Sequence, residues 1–436
     1  MTMKYTLLLT AALSIGLLCS SGAQAQDRDV IAGIPVNYDE TKVGDYKATL
    51  PDVLTMNNGK KVTTAKQWKK RRAEILKIFE EQQYGKWPAK KPKLRYDLQE
   101  DLGFEGTAVR KQLTLYFSED NNGPKVDVLI YLPKDANGPV PLLLNLSFMQ
   151  NNITVSDPGV KPGRRWDGKS GSYIELPAMQ GQGRRMGFGM GATIKQYLKE
   201  GFGFATLCYT DIQPDALNTE TAGVRGLYLK KGQTKPAADE WGSISAWAWG
   251  VSNIMDYFEK DADIDATRIA LTGCSRLGKT TMWTGAREDR IKVVIASCSG
   301  EGGAALSRRN YGETVGHLVE PTRFPYQFAG NYSLYGDKVE QMPMDAHMLV
   351  ALIAPRPLLL STGDTDTWSD PKGEFYAAVE AAPVYELLGK DTMGTDVMPP
   401  AEQPIYSTLG YVMHDGGHGV LPQDWTYYLE FMKLYL

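Results

Sequence analysis

A serine inside a glycine-bounded turn fits two unrelated chemistries. Residues 268–282 read RIALTGCSRLGKTTM, with the apolar run Ile269–Leu271 ahead of Ser275 and a helix-compatible run behind it. A strand, a sharp turn carrying serine and a helix form the nucleophile elbow of a serine hydrolase. The same stretch also satisfies G-x-x-x-x-G-K-[ST], the phosphate-binding loop of nucleotide hydrolases, through Gly273, Gly278, Lys279 and Thr280.

The N-terminus favours the hydrolase over the phosphate-binding loop. Lys4, the apolar run Tyr5–Leu18 and the small-residue site Ala23-Gln24-Ala25 predict an export signal, cleaved near Gln26. An exported protein meets little nucleoside triphosphate. A phosphate-binding loop also needs an acidic Mg²⁺ partner at a neighbouring strand end, for which Asp364 is a loose candidate.

The sequence also bears on whether the protein is anchored in a membrane. The apolar run at the N-terminus is too short to span a bilayer comfortably, and the bulky Leu18 disfavours lipid attachment at Cys19. We therefore expect a periplasmic or secreted protein without stable membrane insertion.

Charge and cysteine content exclude some partners and cofactors. A net charge of -3 gives no electrostatic case for binding nucleic acid. The remaining cysteines predict neither a disulfide framework nor, by their spacing, a metal site: Cys208, Cys274 and Cys298.

The hydrophobic pattern predicts an α/β fold with a mostly parallel sheet. Alternating residues in 113–117 and 126–132, separated by Asn121-Asn122-Gly123-Pro124, indicate an antiparallel hairpin. Continuous apolar runs typical of strands covered on both faces follow, and helix patterns separate them. These runs are Leu142–Leu146, Phe202–Leu207, Ile269–Leu271, Val293–Ala296 and Leu358–Leu360. We predict a signal peptide over 1–25, an extension packed on the catalytic domain over 26–100, and a catalytic domain over 101–436.

A serine nucleophile needs a base and an acid to orient that base, in the chain order serine, acid, histidine in this fold. Of four histidines, His414 and His418 follow the last strands, and the tight loop around His418 favours it over His414, which continues an apolar segment. The acid should follow Leu358–Leu360. Asp364 and Asp366 both qualify, and spacing alone does not separate them.

Four sequence blocks together resemble the glucuronoyl esterase family of carbohydrate esterases (carbohydrate esterase family 15), which has the α/β-hydrolase fold. The resemblance runs from about residue 84 to the C-terminus. The blocks are Ala246–Gly250; Gly273–Lys279, matching G-x-S-R-x-G-K; Ser299–Ala305 with Tyr311–Val315; and Asp366–Pro371 with Gly416–His418.

The resemblance implies a serine esterase, without metal or organic cofactor, acting on esters of 4-O-methyl-glucuronic acid such as those joining glucuronoxylan to lignin alcohols. It implies Ser275 as nucleophile, His418 as base and Asp366 as acid, with Arg276 stabilising the oxyanion. The residues that resemble sugar-acid contacts are Lys279, Glu313 and Trp368.

One position departs from the family pattern. Many members carry a triad glutamate where this chain has Cys298, and a thiol does not orient histidine as a carboxylate does. Glu301, three residues later, is expected to point elsewhere.

Two other functions stay open: an acetyl-xylan or general carbohydrate esterase of the same fold, and a carbohydrate-binding protein that has kept the fold without turnover.

Overall fold

The computed structural model describes residues 29–176 and 189–436. The export signal that we predict over residues 1–25 lies outside these two ranges. Inside them, every helix is either too short or too polar to cross a bilayer.

The strands and helices alternate along most of the chain. The strands are β1 (Val30–Ile31), β2 (Ile34–Pro35), β3 (Arg95–Gly103), β4 (Ala108–Tyr116), β5 (Lys125–Pro133), β6 (Val140–Ser147), β7 (Arg164–Asp167), β8 (Ser172–Glu175), β9 (Gly203–Cys208), β10 (Ile264–Cys274), β11 (Ile291–Ser297), β12 (Leu358–Gly363) and β13 (Leu409–His414). The helices are α1 (Ala65–Gln82), α2 (Asn151–Thr154), α3 (Gly191–Lys199), α4 (Ser243–Phe258), α5 (Arg276–Arg287), α6 (Val315–Val319), α7 (Ala346–Ala351), α8 (Pro371–Leu387) and α9 (Pro422–Tyr435).

Nine of these strands form one sheet in the order β13-β12-β11-β10-β6-β9-β5-β4-β3. The six strands from β13 to β9 run parallel to one another. Strands β5, β4 and β3 continue the sheet in antiparallel fashion. The predicted α/β fold, with a mostly parallel sheet and an N-terminal antiparallel hairpin, is confirmed.

The parallel part of the sheet is buried on both faces, which explains its continuous apolar strands. Successive residues point to opposite faces, so Leu358 and Leu360 enter one core while Leu359 enters the other. The first core packs beneath α1, α4, α5, α7 and α8, and the second packs beneath α3 and α9. A parallel sheet flanked by helices needs apolar residues at every position of a strand.

The segment before residue 100 shares its core with the domain that we predict over 101–436. Helix α1 begins at a capping box, in which the Thr64 side chain and the Gln67 side chain each accept the other's backbone N–H. Its Trp68 and Phe79 lie in the first core. Strand β3 spans Arg95–Gly103, so the sheet begins before the predicted boundary at residue 101.

Candidate active site

Ser275 lies at a strained turn between β10 and α5. Its backbone has φ 60° and ψ -127°, a combination that L-residues adopt at a cost of about 1–3 kcal/mol and mainly at functional sites. The surrounding structure holds it there, since the Ser275 N–H donates to the carbonyl of Ser297 at 2.9 Å. The serine is thereby fixed, half-exposed, at the carboxyl edge of the parallel strands.

Two glycines let the helix come close enough to form this turn. A Cβ on Gly273 would lie 2.7 Å from the Leu277 carbonyl oxygen, and one on Gly278 would lie 2.5 Å from the Ser297 carbonyl oxygen. Either contact is shorter than atoms tolerate. The glycines that fit a phosphate-binding loop therefore serve close helix–strand packing. The Thr280 hydroxyl, which such a loop would turn towards Mg²⁺, donates instead to the Arg276 carbonyl at 2.9 Å.

His418 and Asp366 form a pair at the ends of the two neighbouring strands β13 and β12. The His418 Nδ1 is 2.7 Å from the Asp366 carboxylate and 3.1 Å from the Ser369 hydroxyl. Burial alone would lower the pKa of His418, but the Asp366 charge and hydrogen bond outweigh it and raise the pKa to about 9. Burial opposes ionisation of Asp366, yet the charge of His418 holds its pKa below the ordinary value.

The competing acid follows β12 and the competing histidine ends β13, and both contact the loop that follows β13. Asp364 is exposed and accepts a hydrogen bond from the Gly416 N–H at 2.9 Å. His414 is buried, with Nε2 2.8 Å from the Gly417 carbonyl and Nδ1 2.9 Å from the Asp424 carboxylate. Both residues shape the loop that carries His418.

The other two histidines are packed away from this pair. His317 accepts the Thr314 N–H at 3.1 Å and caps α6, while its second nitrogen faces the Ile34 carbonyl at 3.3 Å. His347 contacts the Pro51 carbonyl at 2.8 Å. Burial lowers the pKa of both, and both side chains serve the packing of the segment before residue 60.

On the other side of Ser275, Arg276 is held by a carboxylate that sequence reasoning missed. The guanidinium contacts Asp215 at 2.5 Å. Asp215 also accepts from the Tyr209 hydroxyl at 2.5 Å and from Tyr326 and Gln327 at 2.8 Å each. Burial opposes the charge on Asp215, but Arg276 and these donors hold its pKa below the ordinary value. Asp215 lies in an irregular segment, so no periodic signal marks it.

The three residues predicted to contact a sugar acid lie together. Lys279 is buried, and its Nζ is 3.8 Å from the Glu313 carboxylate; burial lowers the pKa of this lysine. The Glu313 N–H donates to the Trp368 carbonyl at 2.8 Å. Arg323, which sequence reasoning missed, contacts Glu313 at 2.9 Å and lies 5.5 Å from the centre of the Trp368 ring.

Two buried glutamates support the turn that follows β11. Glu374 accepts the Gly300 N–H at 2.6 Å, and Glu301 accepts from the Ser307 hydroxyl at 2.6 Å and the Gly302 N–H at 2.9 Å. Burial raises the pKa of each carboxyl to about 8. In the described residues, the hydrogen bonds of the Glu301 carboxylate are with Ser307, Gly302 and Tyr332, and none joins it to His418.

The gathered groups match the needs of acyl transfer. A hydroxyl on a strained turn, an imidazole ordered by a carboxylate, and fixed cationic donors provide a nucleophile, a base and an oxyanion partner. Arg276 also opens α5, and the first N–H groups of a helix have no partner inside it.

Comparison with known proteins places these observations in a family. A family model described as glucuronyl esterase, fungi, matches residues 198–389. A solved glucuronoyl esterase from Solibacter usitatus is 43% identical, with a TM-score of 0.84 over 91% of this chain and 99% of that one. A promiscuous CE15 esterase from a marine bacterial metagenome is 41% identical, with a TM-score of 0.82 over 92% of this chain and 100% of that one.

A curated relative extends the comparison to a named activity. The 4-O-methyl-glucuronoyl methylesterase of Cerrena unicolor is 28% identical over 82% of this chain. The chain spans 65% of the length of that protein.

Proposed function

Because the chain belongs to the glucuronoyl esterase family, carbohydrate esterase family 15, and is a carboxylic ester hydrolase, we propose that it cleaves glucuronic acid esters through an acyl-enzyme on Ser275. The acid side of the substrate is glucuronate or 4-O-methyl-glucuronate, as in glucuronoxylan–lignin linkages. The contact between His418 and Asp366 beside the elbow is the observation that carries the mechanism.

In the first half-reaction, the Ser275 hydroxyl attacks the ester carbonyl while His418 takes its proton. Asp366 stabilises the imidazolium that forms, because its carboxylate already holds Nδ1 at 2.7 Å. Negative charge develops on the carbonyl oxygen, where the Arg276 N–H and guanidinium stabilise it. His418 then protonates the departing alcohol.

In the second half-reaction, water replaces the alcohol. His418 removes a proton from the water as it attacks the glucuronoyl carbonyl, and Arg276 stabilises the second oxyanion. His418 returns the proton to Ser275, and the free sugar acid leaves. No step uses a metal or organic cofactor.

The acid side of the substrate lies against Lys279, Glu313 and Trp368. Lysine and glutamate offer a donor and acceptors to sugar hydroxyls, and an indole offers an apolar face to a pyranose ring. The 3.8 Å separation of Lys279 and Glu313 is longer than a hydrogen bond. A sugar hydroxyl bridging the two charged groups would satisfy both.

The test is release of glucuronic acid from benzyl glucuronate by the purified protein and by Ser275→Ala. We expect turnover by the parent and its loss in the variant, with the fold checked by circular dichroism. A matched control is Ser118→Ala, which removes a serine hydroxyl in the hairpin between β4 and β5 and should retain turnover. Full activity in Ser275→Ala would overturn the proposal.

A second candidate function is hydrolysis of acetyl groups on xylan or other carbohydrates, favoured by the promiscuous 41%-identical relative. Turnover of benzyl glucuronate and acetylated xylan by the same preparation separates the two. A higher kcat/KM on acetylated xylan would favour the second function. Binding to glucuronoxylan without turnover of either ester would instead identify a carbohydrate-binding protein.

We propose that the protein acts outside the inner membrane, in the periplasm or the medium. The N-terminal pattern Lys4, Tyr5–Leu18 and Ala23-Gln24-Ala25 supports cleavage of an export signal. N-terminal sequencing of the mature protein from its native host tests this, with a first residue near Gln26 expected.

A further inference from the structure

Three possible metal ligands meet beside the proposed base. The Cys298 sulfur, an Asp366 carboxylate oxygen and a His418 ring nitrogen all lie within 4.8 Å of one another, the one such group in residues 29–176 and 189–436. Their sequence spacing gives no sign of it, because they follow three different strands: β11, β12 and β13. The parallel sheet brings them together by collecting those strand ends at one edge.

The donor set suits a thiophilic divalent cation. Thiolate sulfur, imidazole nitrogen and carboxylate oxygen are the three ligand types that Zn²⁺ takes in proteins, usually four at a time in a tetrahedron. Two further oxygens border the group: the Gly419 carbonyl is 3.4 Å from the Cys298 sulfur, and the Ser369 hydroxyl is 3.1 Å from the His418 Nδ1.

Access and rigidity also fit a metal site. Cys298 and Asp366 are buried, but the His418 side chain is 37% exposed, so an ion can enter from the cleft. Cys298 itself has φ 42°, a left-handed conformation that is uncommon for a residue other than glycine. The backbone after β11 thus fixes the thiol towards the histidine loop.

We propose that Cys298, Asp366 and His418 form an inhibitory site for Zn²⁺ or Cd²⁺. The loss of ester hydrolysis rests on the function proposed above, whereas metal binding does not. The ion replaces the Nδ1 proton that Asp366 now holds. That proton is then carried on Nε2, the nitrogen that would accept the serine proton, and the imidazole no longer acts as a base.

Charge and protons balance in this step. A hydrogen bond with Cys274, together with burial, raises the pKa of the Cys298 thiol, so it is protonated before metal binds. Forming the metal–sulfur bond releases that proton to water. The neutral imidazole binds through Nδ1 after its single proton has moved from Nδ1 to Nε2. A doubly protonated imidazole already carries a proton on Nε2, and it releases the Nδ1 proton to water. The two negative ligands, thiolate and carboxylate, neutralise the divalent ion.

The test is titration of Cd²⁺ into Ser275→Ala, followed by the ultraviolet charge-transfer absorption of the Cd–thiolate bond. This variant removes ester turnover and keeps all three ligands, so binding is measured independently of activity. We expect the band to saturate at one Cd²⁺ per chain. The band should vanish when Cys298→Ser is added and should persist when Cys208→Ser, a buried thiol on β9, is added instead.

Two further measurements test the site without relying on Cys298→Ser, which could lose the absorption band simply by misfolding. Asp366→Asn keeps the thiol, and it should weaken Cd²⁺ binding by more than the roughly tenfold that loss of an outer-shell contact costs, because one of three ligands is lost. In the parent protein, Zn²⁺ should abolish turnover and a chelator should restore it. No band in Ser275→Ala, or a band that persists in Cys298→Ser, would overturn the site. A saturating band in a protein that hydrolyses no ester would leave the site standing and refute the proposed function.

Discussion

Two buried aspartates lie on opposite sides of Ser275, and they hold their cationic partners differently. Asp215 holds Arg276 and accepts from three more side chains, so both of its oxygens are occupied. Asp366 holds His418 with support from Ser369. The side chains of both acids are nearly inaccessible, with exposed fractions of 7% and 3%.

The difference fits what each partner does in the mechanism that we propose. A guanidinium keeps its charge through the reaction. Each further donor to Asp215 therefore only fixes the carboxylate, and with it the Arg276 side chain, more firmly in place. An imidazole must gain and lose a proton, so its carboxylate has to stabilise the charged form without locking it. Asp215 thus faces a permanent charge on Arg276, whereas Asp366 faces a charge on His418 that forms and disappears during the proposed reaction.

The substitution with the largest expected effect in this comparison is Asp366→Asn. The amide cannot stabilise the imidazolium and favours the wrong tautomer of His418, so kcat should fall by about 10⁴. The matched control is Asp364→Asn, which changes only an exposed contact to the Gly416 N–H. Steady-state kinetics on benzyl glucuronate measure both. A crippled Asp364→Asn beside an active Asp366→Asn would show that we have assigned the wrong acid.

The second test is on the Arg276 side. Arg276→Ala removes an oxyanion donor and should lower kcat by about 10²–10³. Asp215→Asn should lower kcat by only about tenfold, since Tyr209, Tyr326 and Gln327 still surround the amide and the arginine is only loosened. KM should change little in either variant. If Asp215→Asn altered KM or thermal stability alone, it would be structural and not a positioning residue.

The third test separates the two aspartates by pH. Asp366 raises the pKa of His418 to about 9, and the base works only when neutral. Thus kcat/KM, which reports the free enzyme, should rise as pH increases through that pKa. Asp366→Asn should move this rise to lower pH, whereas Asp215→Asn should leave it in place. If the rise stayed at the same pH in Asp366→Asn, the group that titrates would not be His418 paired with Asp366.

The smallest expected effect lies outside both pairs, at the sugar contact. Trp368→Phe keeps an aromatic face but loses ring area beside Arg323, so KM should rise by a few-fold, worth about 1 kcal/mol. The value of kcat should hold. A fall in kcat as large as that in Arg276→Ala would mean that this loop positions the catalytic groups as well.

The sequence predicted the main features of the fold for a simple reason. A strand buried on both faces must be apolar throughout, so the runs at Leu142–Leu146 and Leu358–Leu360 were visible as core strands. One of the helix patterns that separate these runs is that of α4, where Trp247, Val251 and Ile254 recur at helical spacing. The elbow was marked by glycines that only close packing requires.

The candidate site was predictable in part. Local motifs indicated Ser275 and His418, but spacing left Asp364 and Asp366 equal, and family resemblance alone favoured Asp366. Their contacts differ because the turn after β12 buries Asp366 beside His418 and leaves Asp364 exposed on the Gly416 backbone. Asp215 and Arg323 lie in irregular segments, where no period constrains residue type.

By itself, the sequence determined the buried strands of the sheet and which serine follows a strand, since those depend on residues near one another in the chain. Only the tertiary structure decided which charges meet. Asp215 reaches Arg276 across 61 positions, and Cys298 meets Asp366 and His418 from three separate strand ends. The physical reason is that electrostatic and metal-binding contacts act through space, and the order of strands in a sheet, not their order in the chain, sets those distances.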